Sequence, residues 1–186
     1  MKFVGCFAIL ASVGVAHASE FGYTIYGSNI SVDDPDGSTE SVSYLAPLNG
    51  FYADSLKRDL RYQVEAFMDT VNLDAGVNQV GQEVKYQGLG VSLQRRFRLS
   101  SELKPWFGVG IDYVNVRYRE RHTVDQGGFL ANRYPDRNES GVNLVLNAAS
   151  YWEFNRSWDY GLTAKFSQSV SSDSTFLNIG ISAVYK

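Results

Sequence analysis

Six ionisable residues, Arg61, Glu65, Asp69, Asp112, Asp159 and Lys165, stand in stretches where apolar and polar residues alternate. Both signs of charge are present, which is what a buried ion-pair network needs. Groups suited to catalysis are scarcer. His122, in RERHTVDQ, is flanked by Arg119, Glu120, Arg121 and Asp125. A hydrolase would need this histidine beside a serine and a carboxylate in fixed geometry. No His-x-Ser stands in an alternating stretch, so His122 reads as a surface-loop residue and no catalytic residue is expected. The run Asp33-Asp34-Pro35-Asp36-Gly37 does not continue into spaced oxygen ligands with a closing Glu. It reads as an acidic turn, and neither metal nor cofactor is expected. Gly88/Gly90 and Gly108/Gly110 have no helix after them to make a phosphate loop. They read as relief for crowding or curvature within a sheet.

The elements that must position these groups are strands. In LRYQVEAFMD (60–69), Leu60, Tyr62, Val64, Ala66 and Met68 share one phase. Arg61, Gln63, Glu65 and Asp69 share the other, with Phe67 the exception. A period of two makes a two-faced β-strand. The same pattern predicts eight strands, at 21–32, 42–53, 60–71, 84–97, 105–118, 140–154, 158–168 and 175–185. In the fifth, the apolar phase runs Phe107, Val109, Ile111, Tyr113 and then Val114, Val116, Tyr118, which predicts a β-bulge.

The N-terminus has the form of a secretory leader. MKFVGCFAILASVGVAHA has one Lys, an apolar run and an Ala16-His17-Ala18 site, which predicts cleavage after Ala18. The single cysteine, Cys6, leaves with it, and with it any disulfide or thiol chemistry. Loss of Lys2 brings the net charge near -4, which does not suggest nucleic-acid binding. No later segment is long and apolar enough for a membrane helix.

Between the predicted strands, long and short connections alternate. Residues 33–41, 72–83 and 119–139 are long, whereas 54–59, 98–104 and 155–157 are short, with the last connection, 169–174, short where a long one would fall. Long loops at one end and short turns at the other characterise an outer-membrane barrel. Aromatics near the short turns, with all three Trp among them, read as an interfacial girdle: Phe51, Tyr52, Tyr62, Phe97, Trp106, Phe107, Trp152, Phe154, Trp158, Tyr160 and Tyr185. Tyr86, Tyr118, Phe166 and Phe176 are candidates for the other girdle. On this reading the apolar phase faces lipid, and Arg61, Glu65, Asp69, Asp112, Asp159 and Lys165 fill a lumen only wide enough for side chains.

KPWFGVGIDYVNV (104–116) resembles a central strand of the small outer-membrane β-barrels, the group around the OmpA barrel domain, OmpX/Ail and the opacity-type proteins. The resemblance rests on Pro105, Trp106, Gly108, Gly110 and Tyr113. SYWEFNRSWDYGLTAKFS (150–167) is similar to the late hairpin of that family, and FLNIGISAVYK to its closing strand. Such chains usually end on Phe or Trp, whereas this one ends Tyr185-Lys186. The resemblance implies an all-β, eight-stranded antiparallel up-and-down barrel over 19–186, in the outer membrane of a Gram-negative bacterium. Roles in that family range from adhesion to structural support and, rarely, lipid-modifying catalysis.

Function then falls to the third long loop, RERHTVDQGGFLANRYPDRNE. Arg119, Arg121, Phe129, Arg133, Tyr134 and Arg137 are the candidate surface-binding residues. Arg and aromatics suit binding hot spots, and Arg pairs with phosphate. The expected partners are outer-membrane lipid and lipopolysaccharide, with a host or envelope surface as a further ligand, and a monomer is expected. Two rivals remain. One is a soluble periplasmic lipocalin-like barrel with its apolar phase inside, and the other is a barrel-borne lipid hydrolase.

Overall fold

The computed structural model describes residues 19–33, 39–77, 79–100, 103–170 and 175–186. The expected leader, 1–18, and most of the acidic turn, 34–37, lie outside them. Nine strands form: β1 (Glu20–Asp33), β2 (Thr39–Lys57), β3 (Leu60–Leu73), β4 (Gly81–Arg96), β5 (Trp106–Val124), β6 (Leu130–Arg133), β7 (Arg137–Glu153), β8 (Trp158–Ser169) and β9 (Thr175–Tyr185). Neighbours pair antiparallel, β4 pairs β5, and β1 pairs β9 from Phe21↔Tyr185 to Ile30↔Phe176. The result is a closed eight-stranded barrel, with β6 as the short return limb of the third outer hairpin. Closure leaves no edge at the level of the membrane, where unpaired backbone groups would be costly.

The alternation decides which face looks out. Along β3 the odd positions, Arg61 to Leu73, are buried and the even ones are not. Arg61, Asp112 and Lys165 are 1–4% exposed, whereas Ile111, Leu146 and Ile181 are 55–65% exposed. An aqueous exterior would not carry such a wall, because each fully buried Leu or Ile gains about 1.5–3 kcal/mol. The lipocalin-like reading, which needs the apolar phase inside, is therefore overturned. The interior is polar and the belt around it is apolar, as in a transmembrane barrel.

Above the belt the polarity inverts. Outward positions on β5 change from Val109, Ile111 and Tyr113 to Asn115, Arg117 and Arg119. Inward positions change from Asp112 to Val114 and Tyr118. The predicted bulge at Tyr113/Val114 is absent, since β5 pairs without interruption with both β4 and β7 there. Instead the strand keeps its phase and its two faces exchange polarity. In water the rule reverses, and Ile30, Phe67, Val71, Leu73, Val84, Tyr86, Val114 and Tyr118 form an apolar core inside the protruding barrel. Much of the length expected as loop is thus strand. The 119–139 segment is a hairpin of β5 against β6 and β7, broken at 134–136 opposite Glu120, whose φ is 56°.

A real bulge lies in β2. Thr24 pairs Asn49, while Tyr26 pairs Ala46, so Pro47-Leu48 oppose Ile25 alone. Asn49 Nδ2 donates to Ala46 O at 3.0 Å across it. Pro47 has no N–H to give a ladder, and the β2–β3 pairing ends at Asn49↔Phe67.

Two aromatic assignments also change. Trp106 and Phe51 are 7% and 4% exposed and point into the barrel. Of the second girdle's candidates, Tyr86, Tyr118 and Phe176 pack in the upper core and Phe166 faces out. The outward periplasmic aromatics do meet in pairs, Phe97–Phe107 at 5.7 Å, Trp152–Tyr160 at 5.9 Å and Trp158–Tyr185 at 5.4 Å.

Candidate functional site: the lumen and the outer hairpin

Three buried charges from three strands meet in mid-lumen. Lys165 Nζ on β8 donates to Glu65 Oε2 on β3 at 2.7 Å and lies 2.9 Å from Asp112 Oδ2 on β5. The ammonium also sits 4.8 Å from the centre of the Phe67 ring. Tyr26 OH donates to the second Glu65 oxygen at 3.5 Å. Gly90 makes the space for Asp112, because a Cβ built there would collide with Asp112 Oδ1. Such a cluster is costly to desolvate and is held by its internal pairing.

Arg61 closes the periplasmic end. Its Nε donates to Gln94 Oε1 at 2.7 Å and one Nη to Glu20 Oε2 at 2.5 Å. The guanidinium lies 4.3 Å from the Trp106 ring centre and 5.2 Å from that of Tyr151. Phe51, Ala53 and Val184 form a small apolar cluster against which Tyr151 packs. Glu20 was not foreseen, yet it shares its phase with Thr24 and Ser28, both inward-facing. Gln94 Nε2 continues the network to Gln63 Oε1 at 3.0 Å, and Asn147 Nδ2 donates to Ser92 Oγ at 2.9 Å. Asp69 sits higher and accepts from Tyr86 OH at 3.2 Å. Asp159 does not join the deep cluster. It pairs with Lys186 at 2.7 Å at the periplasmic mouth.

Between the charge cluster and the upper core lies a cavity of about 20 Å³, room for a water molecule or so. Ser28, Asn49, Asp112, Asn143, Lys165 and Asn178 are among its lining residues. Phe67, Tyr86 and Phe176 roof it, with ring centres 5.9–6.1 Å apart. The Tyr44 and Tyr86 hydroxyls touch across the barrel.

The third outer hairpin separates its candidate residues. Phe129 and Leu130 are 74% and 63% exposed at the tip, on a turn that Asp125 Oδ1 holds through the Gly127 and Phe129 N–H groups at 2.8 and 2.9 Å. Arg119 and Arg133 are exposed. Arg121 is not a surface group, contrary to expectation. Glu120, in the left-handed region, shifts the strand's phase, so Arg121 turns inward to Gln82 Oε1 at 3.1 Å and Pro135 O at 3.3 Å. Tyr134 is half-buried and donates its N–H to Arg121 O. Arg137 is tied to Glu139. The His122 ring lies against the Glu120 carbonyl at 2.6 Å, which is no catalytic triad. Lys85 and Arg117, which the sequence analysis passed over, sit directly opposite each other above the belt. Their signal was the phase they share with the outward Leu89 and Tyr113.

Comparison with solved structures fits this architecture. Neisserial surface protein A is similar over 90% of this chain and 96% of its own, with a TM-score of 0.64 and 14% identity. The chain has the fold of a small outer-membrane β-barrel. Ail, the attachment invasion locus protein of Yersinia pestis, matches over 90% of this chain and 97% of its own, at a TM-score of 0.53 and 12% identity. Ail was also solved with the heparin analogue sucrose octasulfate, and that structure matches at a TM-score of 0.54 and 13% identity. No family model and no curated protein matches the chain in sequence.

Proposed function

We propose that the chain, after loss of residues 1–18, is a monomeric, non-enzymatic protein of a Gram-negative outer membrane that acts through its outer end. The carrying observation is the double inversion along β5: apolar outside and polar inside at the belt, then the reverse above it. A strand with that pattern fits a bilayer with a protruding cap. The outer hairpin offers an exposed apolar tip, with Arg119 and Arg133 exposed on its limbs. Lys85 and Arg117 face each other with no ion pair among the described residues, and like charges placed so repel. At the level of the outer headgroups, lipopolysaccharide phosphates would relieve that repulsion. A polyanionic glycan, the ligand class of the heparin analogue seen with Ail, would suit the same groups.

The test is gel mobility of protein taken from an outer-membrane fraction, with and without boiling in SDS. A mobility change on boiling is expected. Unchanged mobility, with the protein in the soluble periplasm, would refute the membrane reading. Lipopolysaccharide binding by a K85Q/R117Q/R119Q variant should fall, and unchanged binding would remove the outer-rim role.

A further inference from the structure

The periplasmic end carries a basic patch on two adjoining turns. Lys57 and Arg58 stand at the β2–β3 turn, and Arg95, Arg96, Arg98 and Lys104 at the β4–β5 connection. Arg96 locks the two together: its N–H donates to Asp59 O at 2.9 Å and its Nη2 to Arg58 O at 2.8 Å. Its 3.6 Å contact with Asp59 is the one ion pair of these cations among the described residues. Asp54 is engaged by the Tyr52 and Tyr62 hydroxyls at 3.2 and 3.5 Å. At the third turn Lys186 is paired with Asp159, and Arg156 stands alone there rather than in a group of cations. A chain of net negative charge has thus gathered six cations on these two turns, with a single ion pair to them among the described residues.

Apolar side chains alternate with these cations and are also exposed. Leu56 is 54%, Phe97 44%, Leu99 65% and Leu103 39% exposed. Phe97 N–H donates to Pro105 O and Leu99 N–H to Leu103 O beside them. Phe97 meets Phe107, so this apolar surface is continuous with the lipid-facing wall. A water-soluble polyanion would satisfy the cations and leave the leucines wet. A lipid headgroup region satisfies both, since Arg and Lys hold phosphates while apolar neighbours enter the acyl boundary.

We propose that the β2–β3 and β4–β5 turns form a docking surface for anionic phospholipid headgroups of the periplasmic leaflet. This rests on the membrane reading above. Each basic residue near an anionic surface adds to the attraction, and salt weakens it.

The experiment places the mature chain in phosphatidylcholine vesicles and compares the association of spin-labelled phosphatidylglycerol and spin-labelled phosphatidylcholine. A preference of about threefold or more for phosphatidylglycerol is expected, falling at high salt. K57Q/R58Q/R95Q/R98Q/K104Q should lower the ratio by half or more, and should do so equally in a K85Q/R117Q/R119Q background, which removes the outer-rim phosphate contacts. R98Q/K104Q, altered only in the turn, should lower the ratio partway and covers failure of the larger variant to insert. Boiling-dependent gel mobility monitors insertion of every sample separately. An inserted wild type without preference, or a preference that survives the patch variants or resides in the outer rim, would overturn the docking surface and leave the barrel standing. A wild type that never inserts would remove both.

Discussion

Lys165 and Glu65, a hundred residues apart in the chain, meet at 2.7 Å inside the barrel, with Asp112 at 2.9 Å from the same ammonium. All three are buried, so none can be removed alone without stranding the others. Lys165→Met leaves two carboxylates facing each other and should destabilise the barrel by about 3–5 kcal/mol. The triple change K165M/E65Q/D112N should recover most of that loss. Denaturant midpoints in lipid vesicles measure both, and a lone K165M without effect would mean the cluster is solvated.

The lipid face should respond to charge and not to size. Leu146→Arg puts a guanidinium on the outer wall of β7 and should cost about 2–4 kcal/mol near the bilayer midplane. Leu146→Val should cost far less. Equal effects in vesicle unfolding would place this wall outside the hydrocarbon.

Glu20 gives the start of the chain a structural task. Cleavage after Ala18 would leave it as the second residue of the mature protein, bonded to Arg61 at 2.5 Å. N-terminal sequencing should therefore begin at Ser19. Glu20→Ala should lower stability by about 1.5–3 kcal/mol, the worth of a charge-assisted hydrogen bond.

At the other terminus, the hydrogen bond to Asp159 raises the Lys186 pKa above 10.5. A raised lysine contributes fully below its unfolded value, and the contribution is lost as pH rises through the folded one. The unfolding midpoints of wild type and Asp159→Asn should thus differ by a constant amount from pH 6 to 9, and converge above that. A gap that grows with alkalinity would exclude the pair as its source.

The alternation of Leu60 to Asp69 and of Leu177 to Tyr185 makes the barrel legible in the sequence, because one period fits both inward charge and outward apolarity. Val114, Val116 and Tyr118 were misread for a physical reason. Apolar residues outside a membrane and inside a protruding cap give the same letters, and nothing local marks the height at which solvent changes. Trp106 and Phe107 were both assigned to the lipid interface by nearness to a turn, though adjacent strand residues must face opposite ways. Arg121 was hidden by Glu120, whose φ of 56° inverts the phase without a glycine to announce it. The meeting of Lys165 with Glu65 and Asp112 needed the strand registers, which the chain encodes only through pairing.

Aromatic rings stop the barrel at both ends, Phe51, Trp106 and Tyr151 around Arg61 below, and Tyr44, Phe67, Tyr86 and Phe176 above. On the proposed outer-membrane placement, each additional copy would add wall without adding a hole, and abundance would be uncoupled from leakage.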